Sequence, residues 1–174
     1  RTQQAQALLA AGAAPAHVSV AAAHPAAADP GARAATDAYQ GWPDIAVAAS
    51  RKESTMLRDL LRRGADPNAT TPGGDTALLV AVAADAAQSV ALLLQAGADA
   101  SRANRSGSSP LIVAVRLGRE AALEALLANG VDPNARSKQE PPALLVAVET
   151  GNGRVVKQLL AAGADADARG AGNV

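Results

Sequence analysis

The stretch Leu60-Leu61-Arg62-Arg63-Gly64-Ala65-Asp66 decides the fold, because its pattern of two leucines, two further residues and a glycine returns three more times. The glycines of this pattern are 33 residues apart, and an alanine precedes each of them by 16 positions. These two series are Gly64, Gly97, Gly130 and Gly163, and Ala48, Ala81, Ala114 and Ala147. A strict period of this length is typical of proteins built from small stacked units.

The composition favours a thin core. The chain has 174 residues but only one tryptophan, Trp42, one tyrosine, Tyr39, and no phenylalanine. Large side chains that could fill a thick centre are therefore missing. Leucine, valine and alanine between closely spaced helices fit this inventory, since small residues let backbones approach and leucines fill the gaps.

The second period shows the expected structure of one unit. Thr76 is suited to an N-cap, and residues 76 to 84 carry an apolar stripe at helical spacing, so they predict a first helix. Residues 88 to 96 predict a second, antiparallel helix that ends at Gly97 in a left-handed conformation. The polar residues 101 to 108 predict a projecting turn.

These motifs resemble the ankyrin repeat. The resemblance rests on Gly107-Ser108-Ser109-Pro110-Leu111, on the segment from Ala114 to Gly118 and on the segment from Leu126 to Asn134, and it covers about Tyr39 to Arg169. It implies an all-α ankyrin-repeat α-solenoid of antiparallel helix pairs joined by projecting β-hairpin-like loops. Residues 39–174 would hold four regular repeats and a short tail. We number the repeats 1 to 4, at about residues 39–70, 71–103, 104–136 and 137–169.

The chain departs from the family pattern at three kinds of position. The usual histidine of the first helix is replaced by an apolar residue in every repeat, at Ala46, Leu79, Ile112 and Leu145. We therefore expect these repeats to depend more on apolar packing. Pro43 and Pro142 stand in place of the capping threonine, and Glu140 replaces a turn glycine, so we expect altered first and last hairpins.

Both ends of the chain differ from the regular array. Residues 1–38 predict a degenerate repeat, or a repeat and a half, with an insertion near residues 13 to 30; a partly ordered, alanine-rich linker is the alternative. At the other end, repeat 4 is as apolar as the inner repeats, at Val155, Val156, Leu159 and Leu160. Either more repeats follow, or something else covers this end. We expect a monomer unless this apolar end self-associates.

Charge and motifs argue against several classes of function. The formal net charge is zero, which predicts no nucleic-acid partner, and no apolar run approaches the ~20 residues that span a bilayer, which predicts no membrane insertion. His17 and His24 are the only histidines, and cysteine is absent. No nucleophile, phosphate-loop or metal-ligand motif is present in the sequence. We therefore predict no enzyme, no catalytic residue, no cofactor and no metal site.

Four aspartates recur with the glycines, and we expect them to accept backbone hydrogen bonds in the turns between repeats. These are Asp66, Asp99, Asp132 and Asp165.

The resemblance implies that a partner protein binds the concave surface formed by the hairpin tips and first helices. The matching positions are Tyr39, Gln40, Trp42, Arg51, Asp75, Arg105, Ser106, Ser108, Arg116, Arg136, Lys138, Gln139 and Glu149. Tyr39 and Trp42 would be apolar anchors, and the basic residues would meet acidic groups. Alternatively, Trp42 covers the end of the helix stack beneath the N-terminal segment.

Two other functions remain as alternatives. An inhibitor or immunity-type protein, or a host-directed effector of a bacterium, would share this architecture, and the bias toward alanine, arginine and glycine is typical of a high-GC bacterial source. The second alternative is an anionic ligand bound by the cluster from Arg105 to Lys138, although a wide basic field and stacking aromatics are missing.

Overall fold

The computed structural model describes residues 39–135 and 141–168, and every helix or strand assigned in this part of the chain is an α-helix. The helices form four pairs, α1 (Asp44–Ser50) with α2 (Ser54–Arg62), α3 (Ala77–Ala83) with α4 (Ala87–Gln95), α5 (Pro110–Arg116) with α6 (Glu120–Ala128), and α7 (Ala143–Glu149) with α8 (Gly153–Ala161). The expected all-α class is confirmed. The predictions for residues 1–38 and for the C-terminal tail lie outside the described residues.

The helix pairs stack in two rows. The first helices of successive repeats contact one another in the order α1, α3, α5, α7, and the second helices do the same in the order α2, α4, α6, α8. The two helices of a pair also pack together across a connection of three residues, which requires the chain to reverse direction. Each repeat is therefore held chiefly by its neighbours.

The starts of the first helices follow the capping pattern of the sequence. Thr76 Oγ1 accepts a hydrogen bond from Leu79 N at 3.2 Å, and Ser109 Oγ accepts one from Ile112 N at 3.4 Å. The proline N-caps of α1 and α7 make no such bond, since proline has no side-chain acceptor. The predicted helix of residues 76 to 84 thus has Thr76 as its cap and begins at Ala77.

Both turns of each repeat contain a residue in the left-handed region. Gly97, which ends α4, has φ +89°, as expected. The connection between the two helices of a pair has a second such position, occupied by Lys52, Asp85, Gly118 and Gly151. The sequence shows this position only where glycine occupies it, at Gly118 and Gly151, because Lys52 and Asp85 give no such signal. Asp85 has a further role, since its Oδ1 accepts a hydrogen bond from Ala122 N of α6 at 3.0 Å.

The core is as thin as the composition predicts. Its largest fully buried side chains are isoleucines, leucines and valines, and alanines with no exposure lie between the helices of the first row. Three of the four residues at the usual histidine position confirm the expected apolar packing, because Ala46, Leu79 and Ile112 are at most 3% exposed. The fourth, Leu145, is only partly buried.

The recurring aspartates accept hydrogen bonds in the turns between repeats, as predicted. Each carboxylate accepts from the backbone N–H two residues later, at 2.8 to 2.9 Å, in the pairs Asp66 and Asn68, Asp99 and Ser101, Asp132 and Asn134, and Asp165 and Asp167. The Ser101 hydroxyl adds a second bond to Asp99 at 2.6 Å. Donation from this hydroxyl and from the Ser101 backbone amide lowers the pKa of Asp99 below its ordinary value.

An asparagine side chain joins neighbouring repeats at two junctions. Asn68 Oδ1 accepts from Asp99 N at 2.8 Å while its Nδ2 donates to Gly97 O at 3.3 Å. Asn134 makes the same two bonds between repeats 3 and 4, to Asp165 N and Gly163 O. The equivalent residue between repeats 2 and 3 is Ser101, whose side chain bonds to Asp99 of its own turn instead. This junction therefore lacks the amide bridge.

The projecting loops are hairpin-like in the two places where the structure describes them fully. Before α3, Thr70 and Thr76 form an antiparallel bridge, and Thr71 N donates to Asp75 O at 2.9 Å. Before α5, Asn104 N donates to Ser108 O at 3.0 Å. The predicted β-hairpin-like loops are thus present at these two junctions. Glu140 lies outside the described residues.

Of the four apolar residues named from the sequence of repeat 4, only Leu160 is exposed. Val155 and Leu159 have no exposure, because they belong to the core, and Val156 is partly buried. The exposed apolar residues of this repeat are Val148, at 58%, and Leu160, at 45%. The counterparts of Val148 in repeats 2 and 3 are Val82 and Val115, and both are fully buried.

Truncating a core leucine should destabilise the stack strongly. We expect Leu93→Ala or Leu126→Ala to lower the free energy of unfolding by about 2 to 5 kcal/mol, because apolar burial is lost and a cavity remains. Urea unfolding followed by circular dichroism measures the change. Leu160→Ala is the matched control and should stay within about 0.5 kcal/mol, as surface substitutions do. Equal losses in all three variants would contradict the assigned core.

Restoring the missing amide bridge should stabilise the chain. Ser101→Asn places an asparagine where the backbone makes the same turn as at Asn68 and Asn134, and we expect a gain of about 0.5 to 1.5 kcal/mol in the free energy of unfolding. Ser106→Asn, the same change at an exposed loop position, should have little effect. An unchanged or lower urea midpoint for Ser101→Asn would count against the bridge.

Candidate functional site

The residue before each first-helix N-cap has a different side chain in each repeat. These residues are Trp42, Asp75, Ser108 and Pro141, spaced by the 33-residue period. They occupy equivalent positions where the hairpin meets the row of first helices. Trp42, Asp75 and Pro141 are partly exposed there, so their variety gives these three repeats different surface chemistry.

Three predicted site residues form an aromatic cluster in repeat 1. The rings of Tyr39 and Trp42 pack edge to face, with centroids 5.1 Å apart and planes at 79°. Arg51 Cζ lies 5.2 Å from the centroid of the Tyr39 ring, within the range of a cation–π contact. Trp42 also packs against the hydrophobic core while remaining partly exposed. The cluster is therefore anchored to the stack and still accessible.

A depression of about 350 Å³ begins beside Trp42; we call it the trough. It is lined by Trp42, Ser50, Asp75, Leu79, Val80, Ala83, Ala84, Asn104 and Val113. The residue pairs equivalent to Ala83 and Ala84 are larger in the other repeats, namely Ser50-Arg51, Arg116-Leu117 and Glu149-Thr150. The two alanines therefore leave space that larger side chains would fill.

Asp75 gives the trough a carboxylate. Its backbone is fixed by the hairpin, since Asp75 O accepts from Thr71 N and Asp75 N donates to Thr71 Oγ1 at 3.3 Å. Among the described residues, no donor or cation bonds to its carboxylate, and the residue is partly exposed. The carboxylate therefore has no protein partner among the described residues, and Asp75 shares the trough lining with the apolar side chains.

Arg105 and Ser106 lie at the exposed tip of the loop before α5, as predicted. The Arg105 side chain crosses Gly74 so closely that a Cβ at Gly74 would lie 2.9 Å from Arg105 Cγ. Gly74 also has φ +87°, so its lack of a side chain serves both the turn and this contact. The Ser106 backbone is held by Asn104 Oδ1, which accepts from Ser106 N at 3.0 Å.

The placement of Ser108 on the exposed surface is wrong. Ser108 is only 5% exposed, because its hydroxyl accepts a hydrogen bond from Arg116 Nη1 at 3.2 Å and its backbone N–H donates to Asn104 Oδ1. Arg116 itself is exposed. Arg116 is thus the residue that a partner would meet here, with Ser108 orienting its guanidinium group.

The remaining predicted residues are not gathered around the trough. Gln40 and Glu149 are exposed, in repeats 1 and 4 respectively. Arg136, Lys138 and Gln139 lie outside the described residues. The basic cluster expected from Arg105 to Lys138 is therefore described only at Arg105 and Arg116.

Comparison with protein-family models confirms the resemblance to ankyrin repeats. A model of three ankyrin repeats matches residues 45–137, and a single ankyrin repeat model matches residues 142–171. Because these matches cover more than half of the chain, the protein belongs to the ankyrin repeat family. A search of curated proteins found no match. Ankyrin repeats indicate a protein–protein interaction module, and the family is typically a non-enzymatic binding scaffold.

None of the helices in the described residues has the length and hydrophobicity needed to cross a bilayer.

Proposed function

We propose that this chain is a non-enzymatic module that binds a partner protein on the concave surface formed by its hairpin ends and its first helices. The observation that carries the proposal is the aromatic cluster of Tyr39, Trp42 and Arg51 beside the trough of repeat 2. Together they offer partly exposed rings next to an apolar depression. This combination suits the insertion of side chains from a folded or extended partner.

The residue types of the cluster support this proposal. Tryptophan, tyrosine and arginine supply most of the binding energy when an interface removes them from water. The chain has only one tryptophan and one tyrosine, and both lie in this cluster. The edge-to-face contact limits the motion of both rings, so less conformational entropy is lost when a partner binds.

The basic residues extend the proposed surface toward repeats 3 and 4. Arg105 and Arg116 are exposed there, and we include Arg136, Lys138 and Gln139 from the sequence alone. The arginines and Lys138 would attract acidic groups of the partner, while Asp75 and Glu149 would limit non-specific attraction of anions. The zero net charge favours a protein partner over a nucleic acid.

Removing Trp42 should weaken binding without unfolding the chain. A partner captured by the wild-type chain and identified by mass spectrometry would be titrated calorimetrically. We expect Trp42→Ala to cost about 2 kcal/mol or more of binding free energy, because a central aromatic anchor is lost. The Tyr39 and Trp42 double alanine variant should lose at least as much. Leu160→Ala removes an exposed apolar side chain of repeat 4 and should bind as the wild type does.

The melting temperature decides between the two roles of Trp42. Unchanged affinity of Trp42→Ala together with a lower melting temperature would mean that Trp42 covers the helix stack, and the proposed anchor would then be wrong. A salt titration of the same complex tests the anionic-ligand alternative, since binding through many phosphate contacts weakens steeply as salt rises.

A further inference from the structure

We infer that the trough receives a basic side chain of the partner, an arginine or a lysine. Its aliphatic stem would lie on the apolar floor, and its cationic group would meet the Asp75 carboxylate and the Trp42 ring. The inference rests on the proposed function and specifies the partner chemistry at one point of that surface.

The shape of the trough suits an arginine or lysine stem. Leu79, Val80 and Val113 form its apolar part, and Ala83 and Ala84 keep it open. Arginine and lysine carry three or four methylene groups before their charge, and these groups pack readily on apolar surfaces. A purely aliphatic side chain would fill the same space but would leave the carboxylate of Asp75 without a partner.

The charge of the trough favours a cation. Among the described residues that line the trough, Asp75 is the only ionisable one, and its carboxylate has no partner in this part of the chain. Covering the trough would remove water from this carboxylate, and such desolvation is costly unless an opposite charge or hydrogen-bond donors replace the water. A guanidinium or ammonium group supplies both.

The Trp42 ring adds a second attraction for a cation. The Tyr39 ring already holds Arg51, whereas no cation lies over the Trp42 ring among the described residues. Tryptophan is the strongest aromatic partner for a cation. An incoming basic group would therefore find an open indole and a carboxylate in the same depression.

The neighbouring arginines favour one orientation of the partner segment. The Arg105 side chain crosses Gly74, next to Asp75, and Arg116 is exposed in repeat 3; neither residue lines the trough. They would repel a second basic group and attract an acidic one. The partner segment should therefore carry a basic residue over repeat 2 and acidic groups toward repeat 3.

Three short peptides test the inference on the whole chain. They are blocked pentapeptides of sequence Gly-Leu-Xaa-Leu-Gly, in which the central residue is arginine, norleucine or glutamate. Trp42 emission reports binding directly, because it is the only tryptophan, and amide chemical shifts of Ala83, Ala84 and Asn104 locate the peptide. We expect the arginine peptide to bind about three to five times more tightly than the norleucine peptide, as for a partly exposed ion pair, and the glutamate peptide to bind most weakly.

Two substitutions in the trough, Asp75→Asn and Ala84→Leu, and the control Glu124→Gln test whether the arginine preference arises there. Asp75→Asn should make the arginine and norleucine peptides bind equally; the fold should survive, since the Asp75 backbone makes the hairpin bonds. Glu124→Gln removes the same charge from an exposed position on α6 and should leave the preference intact. Ala84→Leu places in repeat 2 the residue type that repeat 3 has at Leu117, and it should weaken all three peptides by filling the trough.

The outcomes separate this inference from the proposed function. An arginine preference that survives Asp75→Asn, tighter binding of the glutamate peptide, or no shift of the trough amides at millimolar peptide would each overturn the inference. None of these results bears on whether Tyr39 and Trp42 anchor the natural partner. That question is decided by the affinity of the aromatic variants for the captured protein.

Discussion

Burial of small and branched apolar side chains between successive helix pairs is the interaction on which this structure depends. Helices of seven and nine residues are too short to be stable alone, so each must bury its apolar face against the next pair. Alanines with no exposure, such as Ala81 and Ala114, allow the first helices to approach closely, and leucines such as Leu93 and Leu126 fill the space behind them. The 33-residue period of the sequence results from this requirement, because each repeat must present the same apolar positions to its neighbours.

This requirement also explains where the functional chemistry lies. The stacking positions must remain small and apolar, and most turn positions carry glycine, asparagine or aspartate. The residue before each N-cap, the last residue of each first helix and the residue after it are under neither constraint. Trp42 and Asp75 occupy the first kind of position, and Ala83 and Ala84 the second. The surface can therefore vary from repeat to repeat while the stack stays the same.

Much of the fold could be predicted because its determinants are local and periodic. The Thr76 cap, the left-handed Gly97 and the carboxylate acceptors of the turns depend only on residues nearby in sequence. Features that depend on contacts between side chains of different elements or repeats could not be predicted. The bond from Asp85 to Ala122 crosses between repeats, and Ser108 is buried because Arg116 folds back over it.

The candidate site could likewise be predicted in its local features but not in its contacts between elements. The sequence placed Tyr39, Trp42 and Arg51 on one surface, but their mutual geometry comes from how the hairpin closes onto α1. The trough was harder to predict, because it arises where the side chains of repeat 2 are smaller than those of the other repeats. Its signal lies in the comparison of repeats, where Ala83 and Ala84 are smaller than Arg116 and Leu117.

The trough is lined by residues of repeats 1, 2 and 3, so it includes the junction that is held differently from the others. Its lining includes residues of both repeat 2 and repeat 3, such as Val80 and Val113. At this junction Ser101 provides no amide bridge, while Asp85 bonds to α6 at the turn between the two helices of repeat 2. The relative position of the two trough walls is therefore set by apolar packing of α3 on α5 and by the Asp85 bond. Because the Asp85 bond lies at the turn between two helices, the loop side of this junction lacks, among the described residues, the asparagine bonds that join the repeats at the other two junctions.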